Sequence, residues 1–219
     1  TNPDLDYLKS AVTGGTLLGG HADLATSGAA DDQAYLVTRE LGLIVPGSSN
    51  KFWLEGYWAP HQMEAADTAI FGIGETALLD IAGADIIGDT GTLATESFIG
   101  FMIEAADTDQ ISFGYQKDDG GFTDIVADCT ESGNLGDDAA ALAVDAYHKY
   151  GLYFDGQDHI YAFVDGVQIS KTKLTSSHPT GTGYEYGVIL GCKEITNAAP
   201  SNLYIDWVRA AYHVMTDDA

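Results

Sequence analysis

The clearest pattern along this chain is a period of two. Between His148 and Gln168, Tyr150, Leu152 and Phe154 alternate with Gly151, Tyr153 and Asp155, which sets one apolar face on an extended strand. A second apolar run covers residues 159–164, and Val167 opens a third. Asp155-Gly156 and Asp165-Gly166 separate the runs. Asp-Gly between apolar runs predicts a tight hairpin, because a type I′ turn needs positive φ at both central residues. The stretch therefore predicts a three-strand meander with one face to bury.

The same reading predicts strands at residues 34–38, 41–45, 52–59, 69–74, 98–104, 111–116, 122–129, 184–193 and 202–214. The strand at 52–59 is the most regular, with Phe52, Leu54, Gly56 and Trp58 on one face and Trp53, Glu55 and Tyr57 on the other. Shorter strands are expected at 16–18 and 141–144, although residues 137–146 also carry good helix propensity. Residues 77–87, interrupted by Gly83, read as a loop or a small extra element. At the start, Asn2 would cap and Pro3 would open one or two helical turns. Residues 1–13 are thus expected to form a short N-terminal arm or helix, and residues 14–219 a single domain. Many short strands without βαβ alternation predict an all-β chain, a two-sheet antiparallel sandwich.

Composition adds limits. A hydrophobic fraction of 45% is ample for a core. The 33 Asp and Glu against 9 Lys and Arg give a net charge of −24, which repels nucleic acid and anionic membranes alike. Neither is expected as a partner, and no apolar run is long enough to span a bilayer. Such a surface suits a salty medium, a basic partner or bound divalent cations, and the first is the simplest reading. Cys129 and Cys192 have no CxxC partner, so they cannot build a zinc site alone. They pair across the fold or stay buried thiols; two are too few for a disulfide-dependent scaffold, which favours thiols.

Several segments together resemble a known family. They are Phe52-Trp53-Leu54-Glu55-Gly56, Ile70-Phe71-Gly72-Ile73-Gly74-Glu75, the run from Tyr147 to Gly156, Val164-Asp165-Gly166-Val167 and Leu203-Tyr204-Ile205-Asp206-Trp207-Val208. This set resembles the concanavalin A-like lectin/glucanase jelly roll. With the segment from Ala25 to Leu36, the series looks like jelly-roll structural proteins of tailed viruses. That resemblance implies a capsid decoration or head-fibre protein on the outer surface of a virion. Its partners would be the major capsid protein or another virion protein, and it would be a homo-oligomer, a trimer or dimer.

Candidate chemistry is sparse. Enzymatic members of the superfamily resemble one another through a Glu-x-Asp-x-Glu run, whose alternation puts all three carboxylates on one face. Here Asp206 is flanked by Tyr204 and Val208, and Glu55 has no second carboxylate two or four residues away. Both are expected to be half-buried, hydrogen-bonded strand residues, and no catalytic residue is assigned. Trp53, Tyr57, Trp58, Tyr204 and Trp207 could stack on sugars, but their periodicity favours the core. Trp53 and Trp58, five apart, cannot both point inward. Acidic turns at Asp107-Thr108-Asp109, Asp118-Asp119-Gly120 and Asp155-Gly156-Gln157-Asp158 offer the oxygen ligands calcium prefers, but none has EF-hand spacing, so solvated turns are expected and no cofactor is assigned. His21, His61, His148, His159, His178 and His213 show no paired zinc spacing. Asp155, Asp158, His159 and Asp165 suggest a cluster, yet turn chemistry accounts for Asp155 and Asp165.

The expectation is therefore a non-enzymatic virion structural protein. Its rivals are a carbohydrate-binding module for host or surface attachment, taking a surface glycan, and a glycoside hydrolase with a non-standard site.

Overall fold

The computed structural model describes residues 5–8, 12–14, 21–38, 41–61, 63, 67–75, 86–88, 93, 97–104, 110–118, 120–129, 145–195 and 200–213. They form two antiparallel sheets and no helix. In chain order the strands are β1 Leu5–Leu8, β2 Val12–Gly14, β3 Ala22–Ala25, β4 Gln33–Thr38, β5 Gly42–Leu43, β6 Lys51–Pro60, β7 Thr68–Glu75 and β8 Phe98–Ile103. Then come β9 Ser112–Gln116, β10 Thr123–Val126, β11 His148–Phe154, β12 His159–Val164, β13 Val167–Lys173, β14 Glu185–Lys193 and β15 Asn202–His213. The larger sheet runs β1-β4-β14-β7-β8-β9-β10, with β5 on β14; the smaller runs β13-β12-β11-β6-β15-β3-β2.

The expected meander is β11-β12-β13. Tyr150 pairs with Val164, Leu152 with Ala162 and Phe154 with Ile160, so three apolar pairs share the buried face. The tight turn has Asp165 at φ 49° and Gly166 at φ 82°, the positive pair that type I′ demands. Strand β6 lies beside β11, with Phe52, Leu54, Gly56 and Trp58 inward. Gly56 is required there, because a Cβ would stand 2.7 Å from the Phe71 ring of the opposite sheet. Trp58 is fully buried against Tyr150 at 4.7 Å and Phe71 at 6.1 Å. Burying each such ring contributes about 1.5–3 kcal/mol.

The helical arm is not what forms. Leu5–Leu8 is a strand pairing antiparallel with Thr38–Tyr35 of β4, and Val12–Gly14 pairs with β3. A lone helical turn is marginal in water, whereas an open sheet edge offers a row of backbone partners. The strands expected at 16–18 and 141–144, and the turn at 107–109, lie outside the described residues. Within 77–87, Ile86 and Ile87 are described, and Ile87 bridges to Leu93. These residues pack on the outer face of the larger sheet, over Tyr35, Val37, Ile70, Phe98, Met102 and Ile189. The Ile86 amide donates to Gln33 Oε1 at 3.2 Å and the Ile87 amide to the Tyr35 hydroxyl at 3.1 Å.

Candidate functional site

The outer face of the smaller sheet carries the chemistry. Strand alternation and register fix its rows. One row reads Lys171, Tyr161, Tyr153, Trp53 and Ala211 across five strands. The next reads Gln168, Phe163, Gly151, Glu55 and Arg209, and the third Lys149, Tyr57 and Trp207. Tyr204 and Asp23 pair further on, and Tyr204 also pairs with Ala59. The rings pack mutually: Trp53 lies 5.7 Å from Tyr153 and 5.5 Å from Phe163, and Tyr57 lies 5.2 Å from Tyr147 and 6.0 Å from Trp207. All are half-buried, so each keeps part of its surface open to solvent.

Two polar groups punctuate the aromatics. Glu55, 5% exposed, sits between them. Arg209 donates to its Oε2 through Nε at 2.8 Å and also through Nη2, while Lys149 Nζ stands 3.4 Å from Oε1. The Arg209 guanidinium also lies 4.9 Å over the Trp207 ring. At the other end, His61 Nδ1 and Asp145 Oδ1 are 2.5 Å apart. A carboxylate only accepts, so Nδ1–H donates and Nε2 becomes the basic nitrogen of the neutral ring. The Tyr204 ring lies between two imidazoles, His61 at 4.2 Å and His21 at 4.4 Å. Burial pushes the Asp23 carboxyl above the usual range, against the pull of His61 and His21. Burial likewise raises the Tyr147 and Tyr204 hydroxyls, with nearby carboxylates adding.

Of the aromatics expected in the core, only Trp58 is there. Trp53, Tyr57, Tyr204 and Trp207 face outward. Parity explains Trp53 and Tyr57. A bulge explains Trp207: β15 has one extra residue between Ile205, opposite Trp58, and Trp207, opposite Tyr57. That residue is Asp206, which is exposed rather than half-buried as expected. Glu55 is the hydrogen-bonded strand residue its context predicted. Asp155, Asp158 and His159 do come together, with ligand atoms within 4.8 Å of one another, and Asp155 Oδ1 also makes the turn by accepting the Gln157 amide at 2.8 Å and the His159 amide at 3.2 Å. They could hold a metal ion, but Asp158 already contacts His159 at 2.5 Å and Lys173 at 3.2 Å. The Lys173 bond, then His159, holds the Asp158 carboxyl below its ordinary range. Asp165 lies at the other hairpin end, where it takes the Lys149 amide at 2.8 Å and His148 Nδ1 at 2.7 Å. Of the remaining histidines, His213 is exposed opposite Lys51, and His178 is buried with Nδ1 accepting from the Thr175 amide at 3.0 Å. Both cysteines are free and buried, and burial raises their thiols far above the usual range.

No family model and no curated protein matches the sequence. Solved structures do match. Alginate lyase A1-II′, of polysaccharide lyase family 7, superposes with a TM-score of 0.58 at 9% identity, covering 94% of this chain and 86% of the other. The carbohydrate recognition domain of Emp47p gives 0.55 at 13%, covering 89% and 84%. A structure from work on endo-acting O-glycanases of the human gut microbiota gives 0.56 at 13%, covering 87% and 79%. The structural neighbours are concanavalin A-like sandwich proteins. The likeness shows the fold. It also corrects the expectation of a chain without enzymatic activity, since this sandwich carries alginate lyases and glycanases. A missing Glu-x-Asp-x-Glu run excludes one hydrolase site and nothing more. None of these neighbours is a virion protein, so the capsid role and its oligomer draw no support from them.

Proposed function

We propose that this chain binds carbohydrate along the outer face of its smaller sheet. The observation that carries the reading is a pair of aromatic clusters on that face, Tyr161, Tyr153, Trp53 and Phe163 on one side of Glu55 and Tyr57, Tyr147 and Trp207 on the other. An antiparallel sheet facing water ordinarily alternates to polar side chains. A large aromatic patch on such a face marks a binding surface. Sugar rings present apolar C–H faces that suit flat aromatic rings, and their hydroxyls suit the convergent Glu55, Arg209 and Lys149. Trp53 and Tyr57 are four residues apart on one strand, roughly 13 Å, a length suited to an oligosaccharide rather than a single sugar. Neighbours named for a carbohydrate recognition domain and for polysaccharide lyases support the same reading.

Calorimetric titration with oligosaccharides of several classes tests it. Trp53→Ala and Tyr57→Ala should each weaken binding about tenfold or more, some 1.4 kcal/mol, with the fold intact by circular dichroism. Unchanged affinity in both variants would refute the reading.

A second reading, cleavage of the bound chain, is favoured by the His61–Asp145 pair. An imidazole oriented by a carboxylate beside Tyr147 and Tyr204 is equipped to accept or donate a proton. Mass spectrometry of incubated polysaccharides should then show shorter products, lost in His61→Gln. Intact polymer in every incubation would leave binding alone.

A further inference from the structure

The cations of this acidic chain are gathered on one surface. Of 9 Lys and Arg, seven lie in described residues. Five of those seven, Lys51, Lys149, Lys171, Lys173 and Arg209, project from the outer face of the smaller sheet. Lys193 is buried, and Lys117 binds the Ser176 carbonyl at 2.6 Å.

The gathering is uneven along the face. Lys171 belongs to the row of Tyr161, Tyr153 and Trp53, with its ammonium 5.6 Å from the Tyr161 ring centre. Lys51 is exposed and two residues from Trp53 on the same strand. A sugar lying on Trp53 and Tyr153 therefore has one lysine next along β6 and another two strands from Tyr153 in the same row. The carboxylates near this half are accounted for: Glu55 holds Arg209 and Lys149, Asp158 holds Lys173 and His159, and Asp155 accepts the Gln157 and His159 amides at Oδ1 and the Tyr161 hydroxyl at Oδ2. The opposite half carries Asp23, Asp145 and Asp206 around Tyr147 and Tyr204. Distant carboxylates are screened within about 8 Å at physiological salt, so the nearby ammonium groups set the local potential.

We propose that the Trp53 half of the face is a subsite for an anionic sugar, one bearing a carboxylate or a sulfate. The ring stacks on Trp53 and Tyr153, and the anion is held between Lys51 and Lys171. The acidic Tyr204 half takes the uncharged part of the ligand. This rests on the carbohydrate-binding reading and narrows it.

The experiment is titration of the chain with three oligosaccharides of matched length: a uronate, a sulfated sugar and a neutral one. The anionic probes should bind about tenfold or more tightly than the neutral one, and the better of the two identifies the anion. The double variant K51Q/K171Q should lose that preference while keeping neutral-sugar affinity and its unfolding midpoint. Neutral sugar binding as tightly as both anions, or a double variant that keeps its preference, overturns the subsite and leaves carbohydrate binding standing. Failure of all three probes removes both.

Discussion

The two sheets of this sandwich treat their outer faces in opposite ways. On the larger sheet the outer side chains are mainly aliphatic, and Ile86, Ile87 and Leu93 pack over them. On the smaller sheet they are aromatic and charged, and no described segment packs over them. Both sheets bury their inner faces in one shared core. A second apolar face has two outcomes: it is covered by the chain itself, or it is left for something else to cover. The contrast teaches where to look for function, because among the described residues the smaller sheet's outer face combines ring surfaces with paired charges.

The strongest way to break this comparison is to cut one large ring from each face. Phe98, fully buried under the cover, should cost about 3–5 kcal/mol when replaced by alanine. Trp53→Ala should cost less stability, because the ring keeps part of its surface in solvent, and should instead cost affinity. Urea unfolding of both variants decides this; equal losses would mean that the Trp53 face is structural. A smaller effect is expected at Glu55. Glu55→Gln leaves Arg209 and Lys149 without a carboxylate, but Arg209 is 66% exposed and water replaces part of what is lost. A loss of about 1–2 kcal/mol is expected in urea unfolding, and Arg209→Ala on top should add little. An additive double variant would show that the two act separately.

The smallest effect concerns neither face but the rim between β13 and β14. Burial, helped by the Lys117 charge, lowers the His178 pKa below its usual 6.5. The folded chain thus binds a proton there less readily than the unfolded chain. Stability from this group is complete above the unfolded value and is lost as pH falls below about 6.5. Thermal unfolding midpoints should decline over that window, and His178→Gln should flatten the decline relative to the parent. An unaltered slope would assign the acid sensitivity elsewhere.

Much of the frame is legible in the order of residues alone. Alternation in 52–58 places Trp58 and Trp53 on opposite faces, and the Asp-Gly pairs set the β11–β13 meander. Relations between distant positions are not legible in this way. His61 and Asp145 are 84 residues apart, and Glu55 and Arg209 are 154 apart, so no local pattern joins them. Trp207 escapes for a different reason. Period-two reasoning assumes an unbroken strand, and the extra residue at Asp206 reverses the parity beyond it. The cover on the larger sheet is hidden too, because short apolar runs in residues 77–87 read alike as loop or core.

That extra residue also decides which side chains share a face. Remove Asp206, and Tyr204, Ile205 and Trp207 would alternate as a regular strand with the same side chains facing out. The bulge thus sets Trp207 beside Tyr57 on the outer face and adds one exposed carboxylate next to them. Placed one position earlier, the extra residue would take Ile205 out of the core and turn Asp206 into it, so the position of the bulge is tied to both faces at once.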